Sequence, residues 1–155
     1  RQAGLTVTQN GREAGLRAAV IGGFMDFNYD YLREANWAVR SCELFVATNM
    51  DPVFPTDEGL WPGTGAIVAA VETASGRKPI IAGKPSPFIF AMARKVIGTT
   101  GRLLMIGDSL DTDIVGGREA GMDTLLVRTG NGSRAAEQDD IRPTYIMDTL
   151  QELLM

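Results

Sequence analysis

The run Leu103-Leu104-Met105-Ile106 is apolar throughout and then stops on Gly107-Asp108-Ser109-Leu110-Asp111-Thr112-Asp113. No other feature restricts the chain as much. A short apolar run bounded by polar punctuation reads as a buried strand, here Arg102 to Asp108, and a helix follows at once from Asp111 to Ala120, ended by Gly121. A strand passing directly into a helix belongs to an α/β layer, and its end points into the crevice at the carboxyl edge of a parallel sheet, where such folds bind ligands. Carboxylates crowded at that edge disfavour one another's ionisation, and a hard divalent cation such as Mg²⁺ removes the cost. A helix cap and a turn made by Asp108 and Asp111 is the competing reading, and the motif alone leaves both open.

The rest of the chain alternates in the same way. Strands are expected at Ala18–Phe24, Leu44–Ala47, Pro79–Ala82, Asp123–Arg128 and Thr144–Met147. Helices are expected at Tyr31–Arg40, with Leu32, Ala35 and Val39 inward, and at Ala66–Ala74, with Ile67, Val68, Val71 and Ala74 inward and Ser75-Gly76 as the stop. Two more are expected at Phe88–Ile97, packed through Ile89, Ala93, Val96 and Ile97, and at Leu150–Leu154. Thr48 to Thr56 holds two prolines, which remove donors and restrict their neighbours, so it reads as turns without a strand. Gly130 to Arg142 is polar and reads as mobile. The boundary falls near Gly83, between a small α/β module at 1–82, with no element assigned before Ala18, and a parallel Rossmannoid piece at 83–155.

Lys84 sits in Gly83-Lys84-Pro85-Ser86-Pro87, directly after an apolar strand. Flanking glycine and prolines limit its freedom, and its ammonium could meet a phosphate as a point charge; a solvated lysine in a turn is the alternative. A helix between two strands separates Lys84 from Asp108, the layout of one βαβ unit, so their ends are expected on one side of a shared sheet.

Composition excludes several other chemistries. The 155 residues contain no histidine, which removes Ser-His-Asp catalysis and the usual zinc sites. The one cysteine, Cys42, has no disulfide partner, reads as a packed side chain and suits a cytoplasmic setting. Net charge is -4 and no basic stripe is present, so a nucleic-acid partner is not expected. No run of eighteen apolar residues is present, so no membrane partner is expected either.

The stretch from Val20 to Leu154 resembles subfamily IIA of the haloacid-dehalogenase (HAD)-like hydrolase superfamily, which includes NagD-type nucleotide phosphatases, 4-nitrophenylphosphatases and phosphoglycolate phosphatases. The residues that carry the resemblance are Ala47-Thr48-Asn49-Met50-Asp51, Pro62-Gly63-Thr64-Gly65, Gly83-Lys84-Pro85, Gly107 to Ile114, and Ala120-Gly121-Met122-Asp123-Thr124 leading to Thr129-Gly130. The resemblance implies a partial HAD-like Rossmannoid parallel-sheet core at 83–155 with a small α/β, C2-type cap at 1–82. It implies Mg²⁺-dependent hydrolysis of a small phosphorylated metabolite through an aspartyl-phosphate. Lys84 would neutralise charge on the phosphoryl group, Asp108 and Asp113 would serve the metal, and Asp113 would also act in catalysis by orienting Lys84. Ser109 and Asp111 lie near enough to assist. Thr48, Asn49 and Asp51, with Lys84, would contact substrate from the cap side.

The family's nucleophilic aspartate precedes the cap, and no counterpart is found here; Asp26-Phe27-Asn28 lacks the second carboxylate and the glycine that such a motif carries. The chain is therefore expected to be an excerpt of a larger enzyme, inactive alone. Its expected protein partner is a complementary N-terminal segment, or a second copy in a homo-oligomer. Without a neighbouring strand, Leu103–Ile106 is expected to have an open edge. A non-catalytic module that binds a phosphometabolite, or one half of a split enzyme, is the alternative function.

Overall fold

The computed structural model describes residues 4–129 and 141–154, so most of the polar stretch from Gly130, and Gly130 itself, lies outside the described residues. The chain divides into two compact units, Arg1–Gly83 and Lys84–Met155. The fold class is the expected one, α/β with parallel sheets.

In the first unit the elements run β1 (Ala18–Ile21), α1 (Tyr29–Ser41), β2 (Leu44–Ala47), β3 (Val53–Thr56), β4 (Gly59–Pro62), α2 (Thr64–Ser75) and β5 (Ile80–Ile81). A parallel sheet of order β1-β2-β5 is buried on one side through Ala19, Phe45 and Ala47, which meet Val39 of α1 and Val68 and Val71 of α2. Asn28 starts α1 by accepting the N–H groups of Asp30 and Tyr31. Arg77 closes its other end, donating to the carbonyls of Val39, Cys42 and Glu43, which suits a cation at a helix C-terminus. Cys42 is buried in this core, as its apolar surroundings in the sequence suggest.

Three local expectations for this unit are corrected. β1 ends at Ile21, not Phe24, because Gly22 and Gly23 lead the chain out of the sheet. In α2, Val68 and Val71 are buried as expected, in one row with Thr64 and Ser75, while Ile67 is half-buried and Ala74 exposed. The proline-rich segment Thr48–Thr56 does contain a strand, β3, which pairs with β4 just beyond it in an antiparallel hairpin. Pro55 faces Leu60 and Pro62 faces Val53, two steps apart in register, so both occupy pairs that exchange no hydrogen bonds, and the missing N–H groups cost the ladder nothing.

The second unit runs α3 (Pro87–Ile97), β6 (Leu104–Gly107), a π-helical turn (Leu110–Ile114), α4 (Val115–Glu119), β7 (Asp123–Val127), β8 (Tyr145–Met147) and a 3-10 turn (Leu150–Leu154). Its sheet is parallel, of order β6-β7-β8, with β6 at the edge among the described residues. Arg102, just before β6, donates to Asp123 at the start of β7 over 2.7 and 3.1 Å; that hydrogen bond, with the attraction behind it, raises the pKa of the guanidinium. Thr124 and Thr144 exchange N–H to hydroxyl bonds of 3.0 Å each, tying the approach of β8 to β7.

Two further corrections concern this unit. β5 pairs with β2, so the strands flanking α3 belong to different sheets and no shared βαβ unit joins Lys84 to Asp108. The expected packing side of α3 is exposed: Ile89, Ala93, Val96 and Ile97 face outward, Val96 at 82%, and the buried side chain is Phe90. Apolar residues surround most of this helix, so their spacing could not select one face.

Candidate functional site

In the second unit the chain leaves β6 at Gly107 and winds into the π-helical turn. The N–H groups of Asp113 and Ile114 both reach back to the Ser109 carbonyl, at 3.0 and 3.2 Å, and the Ser109 hydroxyl accepts the N–H of Thr112. A turn of this width is uncommon and concentrates at functional sites. Here it sets the Asp113 carboxylate beneath the strand end. Asp113 Oδ2 accepts the N–H groups of Asp108 and Ser109 at 3.1 and 3.2 Å, and Oδ1 accepts Lys84 Nζ at 2.5 Å.

The Asp113 side chain is 2% exposed and that of Lys84 47%, so a buried carboxylate meets an ammonium that still faces solvent. Two backbone donors and one cation satisfy the buried charge, which would be costly without them. Gly107 makes room for it. A Cβ at that position would lie 2.1 Å from Asp113 Oδ2, closer than any real contact.

Sequence reasoning placed Lys84, Asp108 and Asp113 together, and the structure joins Lys84 and Asp113 directly. Asp113 touches Asp108 and Ser109 through backbone N–H groups, while Asp111 is exposed. Among the described residues no three acidic, cysteine or histidine side chains converge on one point. Asp108, whose backbone N–H is bonded to Asp113 at the end of β6, is a carboxylate that could hold a hard cation there. One or two carboxylates suffice for such an ion when water and phosphate complete its shell.

The first unit carries a cleft of about 330 Å³ at the open end of its sheet, lined by Gly23, Phe24, Met25, Asn49, Asp51, Phe54, Pro62, Gly63, Thr64 and Ile67. Asn49 Oδ1 accepts the Asp51 N–H, while the Pro52 and Asp51 carbonyls accept the N–H groups of Gly63 and Gly65, which folds the segment back on itself. Asn49 and Asp51 therefore reach a common cleft. Thr48 does not line it; its N–H bonds to the Ile21 carbonyl instead. Sequence reasoning missed Phe24, Met25, Phe54 and Ile67. For Phe24 and Met25 the available signal was their place just beyond the glycines that end β1; Phe54 lies within β3 and Ile67 within α2, where no such signal exists.

A parallel α/β chain with a buried aspartate and a lysine at a strand end invites comparison with known proteins. The family model described as HAD-hydrolase-like matches residues 81–153. Chronophin from Rattus norvegicus is 39% identical over 99% of this chain and 53% of its own length. D-glycerol 3-phosphate phosphatase from Mycobacterium tuberculosis is 44% identical over 88% of this chain and 39% of its own length. The 4-nitrophenylphosphatase structure from Thermotoga maritima superposes with a TM-score of 0.79 at 34% identity, covering 88% of this chain and 53% of that one. The chain belongs to the HAD-like hydrolase family, and it spans about half the length of the curated relatives it matches.

Proposed function

We propose that the chain supplies the phosphate- and metal-binding part of a Mg²⁺-dependent phosphomonoester hydrolase that acts on small phosphorylated metabolites. The observation that carries this reading is the bond from Lys84 to the buried Asp113 at the end of β6. Asp113, held by two backbone N–H groups, fixes the ammonium of Lys84 so that it faces a phosphoryl group already oriented. Lys84 then stabilises the charge spread over the phosphoryl oxygens as the ester bond weakens. Asp108 would hold Mg²⁺, which when bound supplies a second positive charge to those oxygens. In the first unit, the cleft lined by Phe24, Phe54 and Ile67 with Asn49 and Asp51 suits a small molecule that carries both non-polar parts and hydroxyl or amino groups. The nucleophile in this reading is a carboxylate outside this chain, forming an aspartyl-phosphate that water then cleaves.

Relatives named for phosphatase activity on glycerol 3-phosphate, nucleotides and sugar phosphates support the reaction class. The test is phosphate release from a panel of small phosphomonoesters by the protein carrying this chain, with Mg²⁺ present. Replacing Lys84 with Ala is expected to lower the rate by about 10²–10³-fold, the usual loss when one charge-stabilising donor goes. Phosphate release unchanged by both Lys84→Ala and Asp108→Ala would end the proposal.

A further inference from the structure

We infer that Gly116 and Phe90 form a notch and wedge that set the reach of Lys84 to Asp113, making both of them positioning residues for the charged pair. β5 and β6 lie in different sheets, so no hydrogen-bonded ladder holds the Lys84 loop against the Asp113 turn. The link runs instead through α3 and α4. Lys84 lies just ahead of Ser86, which caps α3 by accepting the Phe88 N–H, and Asp113 lies one turn ahead of Gly116 on the continuous path from the π-helical turn into α4.

The two helices meet at two points. Phe90, 5% exposed, is the buried side chain of α3, and Arg94 donates to the Ala120 carbonyl at 3.3 Å. At Gly116 a Cβ would lie 2.4 and 2.6 Å from two carbons of the Phe90 ring and 3.1 Å from the Cα of Pro85. The wedge and the residue after Lys84 thus rest on the same missing side chain. A methyl group there must move the ring and press on the Pro85 backbone, and Lys84 moves with it. Nζ and Oδ1 are 2.5 Å apart, so a shift of about 1 Å takes the pair to the edge of hydrogen-bond range.

Its bearing on catalysis rests on the reading of Lys84 and Asp113 given above, but the geometry can be tested separately. Trace acetylation of the full chain, followed by mass spectrometry, reports the labelling of Lys84 relative to Lys78 and Lys95, whose contacts differ. An ammonium held on a carboxylate reacts slowly. Gly116→Ala is expected to raise Lys84 labelling on the order of fivefold, through the strain of overpacking, with Lys78 and Lys95 unchanged. Adding Phe90→Leu to Gly116→Ala clears the clash and is expected to restore most of the protection. Unchanged Lys84 labelling in folded Gly116→Ala, or a rise that Phe90→Leu does not reduce, overturns the inference. Should Gly116→Ala fail to fold, Phe90→Leu alone carries the test: it loosens the wedge without a clash, so increased Lys84 labelling supports the inference and unchanged labelling overturns it. Inorganic phosphate with Mg²⁺ forms a separate arm on the unmodified chain. If it does not slow Lys84 labelling, the proposed function fails and the notch is untouched.

Discussion

The two units solve the same architectural problem with different side chains at their strand ends. Each contains a three-stranded parallel sheet with apolar strands and an open carboxyl end. In the first, the strand ends pass into Gly22-Gly23-Phe24-Met25 and Asn49, which with the β3–β4 hairpin line a cleft of largely apolar surface that also carries Asn49, Asp51 and Thr64. In the second, β6 passes into Gly107-Asp108 and a turn that buries Asp113 beneath the ammonium of Lys84. A parallel sheet supplies the place, and the few residues after each strand decide whether that place is a mostly apolar cleft or a buried charged pair.

Substitutions can break this contrast, and their sizes should fall in a definite order. Phe45, 2% exposed in the core of the first unit, carries no part of its cleft; Phe45→Ala is expected to cost about 3–5 kcal/mol in urea denaturation of that unit. Asp113→Ala leaves two backbone N–H groups without their acceptor and Lys84 without its partner, for about 3 kcal/mol, the low end for a broken buried pair because the lysine is half exposed. Asp113→Asn keeps an acceptor for the N–H groups and should lose less; an equal loss in the two variants would mean that charge contributes little there. Gly107→Ala forces a methyl group onto the Asp113 carboxylate and is expected to cost about 1–3 kcal/mol, read by the same denaturation. Phe54→Ala should be the smallest in stability, within about 1 kcal/mol because Phe54 lies partly in solvent on a hairpin, yet it should weaken binding of small molecules in the cleft of the first unit. A large loss of stability from Phe54→Ala would mean that the cleft is part of a core.

Much of this contrast was legible in the sequence. The Leu103–Ile106 run and the acidic residues after it locate β6 and the Asp113 turn, the glycine and prolines around Lys84 mark that lysine, and the family resemblance names Asp113 as the group that orients it. What escaped was decided by packing over distance. Pro55 looks incompatible with a strand until the register shows it at a pair without hydrogen bonds. Spacing could not choose a face for α3, because the choice belongs to Gly116, far along the chain, where only a missing side chain admits Phe90. The shared sheet expected between Lys84 and Asp108 failed for a similar reason. β5 is two residues long and its pairing is decided by β2.

Binding of inorganic phosphate, followed by ³¹P NMR with and without Mg²⁺, tests the charged strand end most directly. The account predicts binding that requires Mg²⁺, vanishes in Asp108→Ala and weakens in Lys84→Ala. Phosphate held equally well by all three proteins, or without the metal, would contradict it.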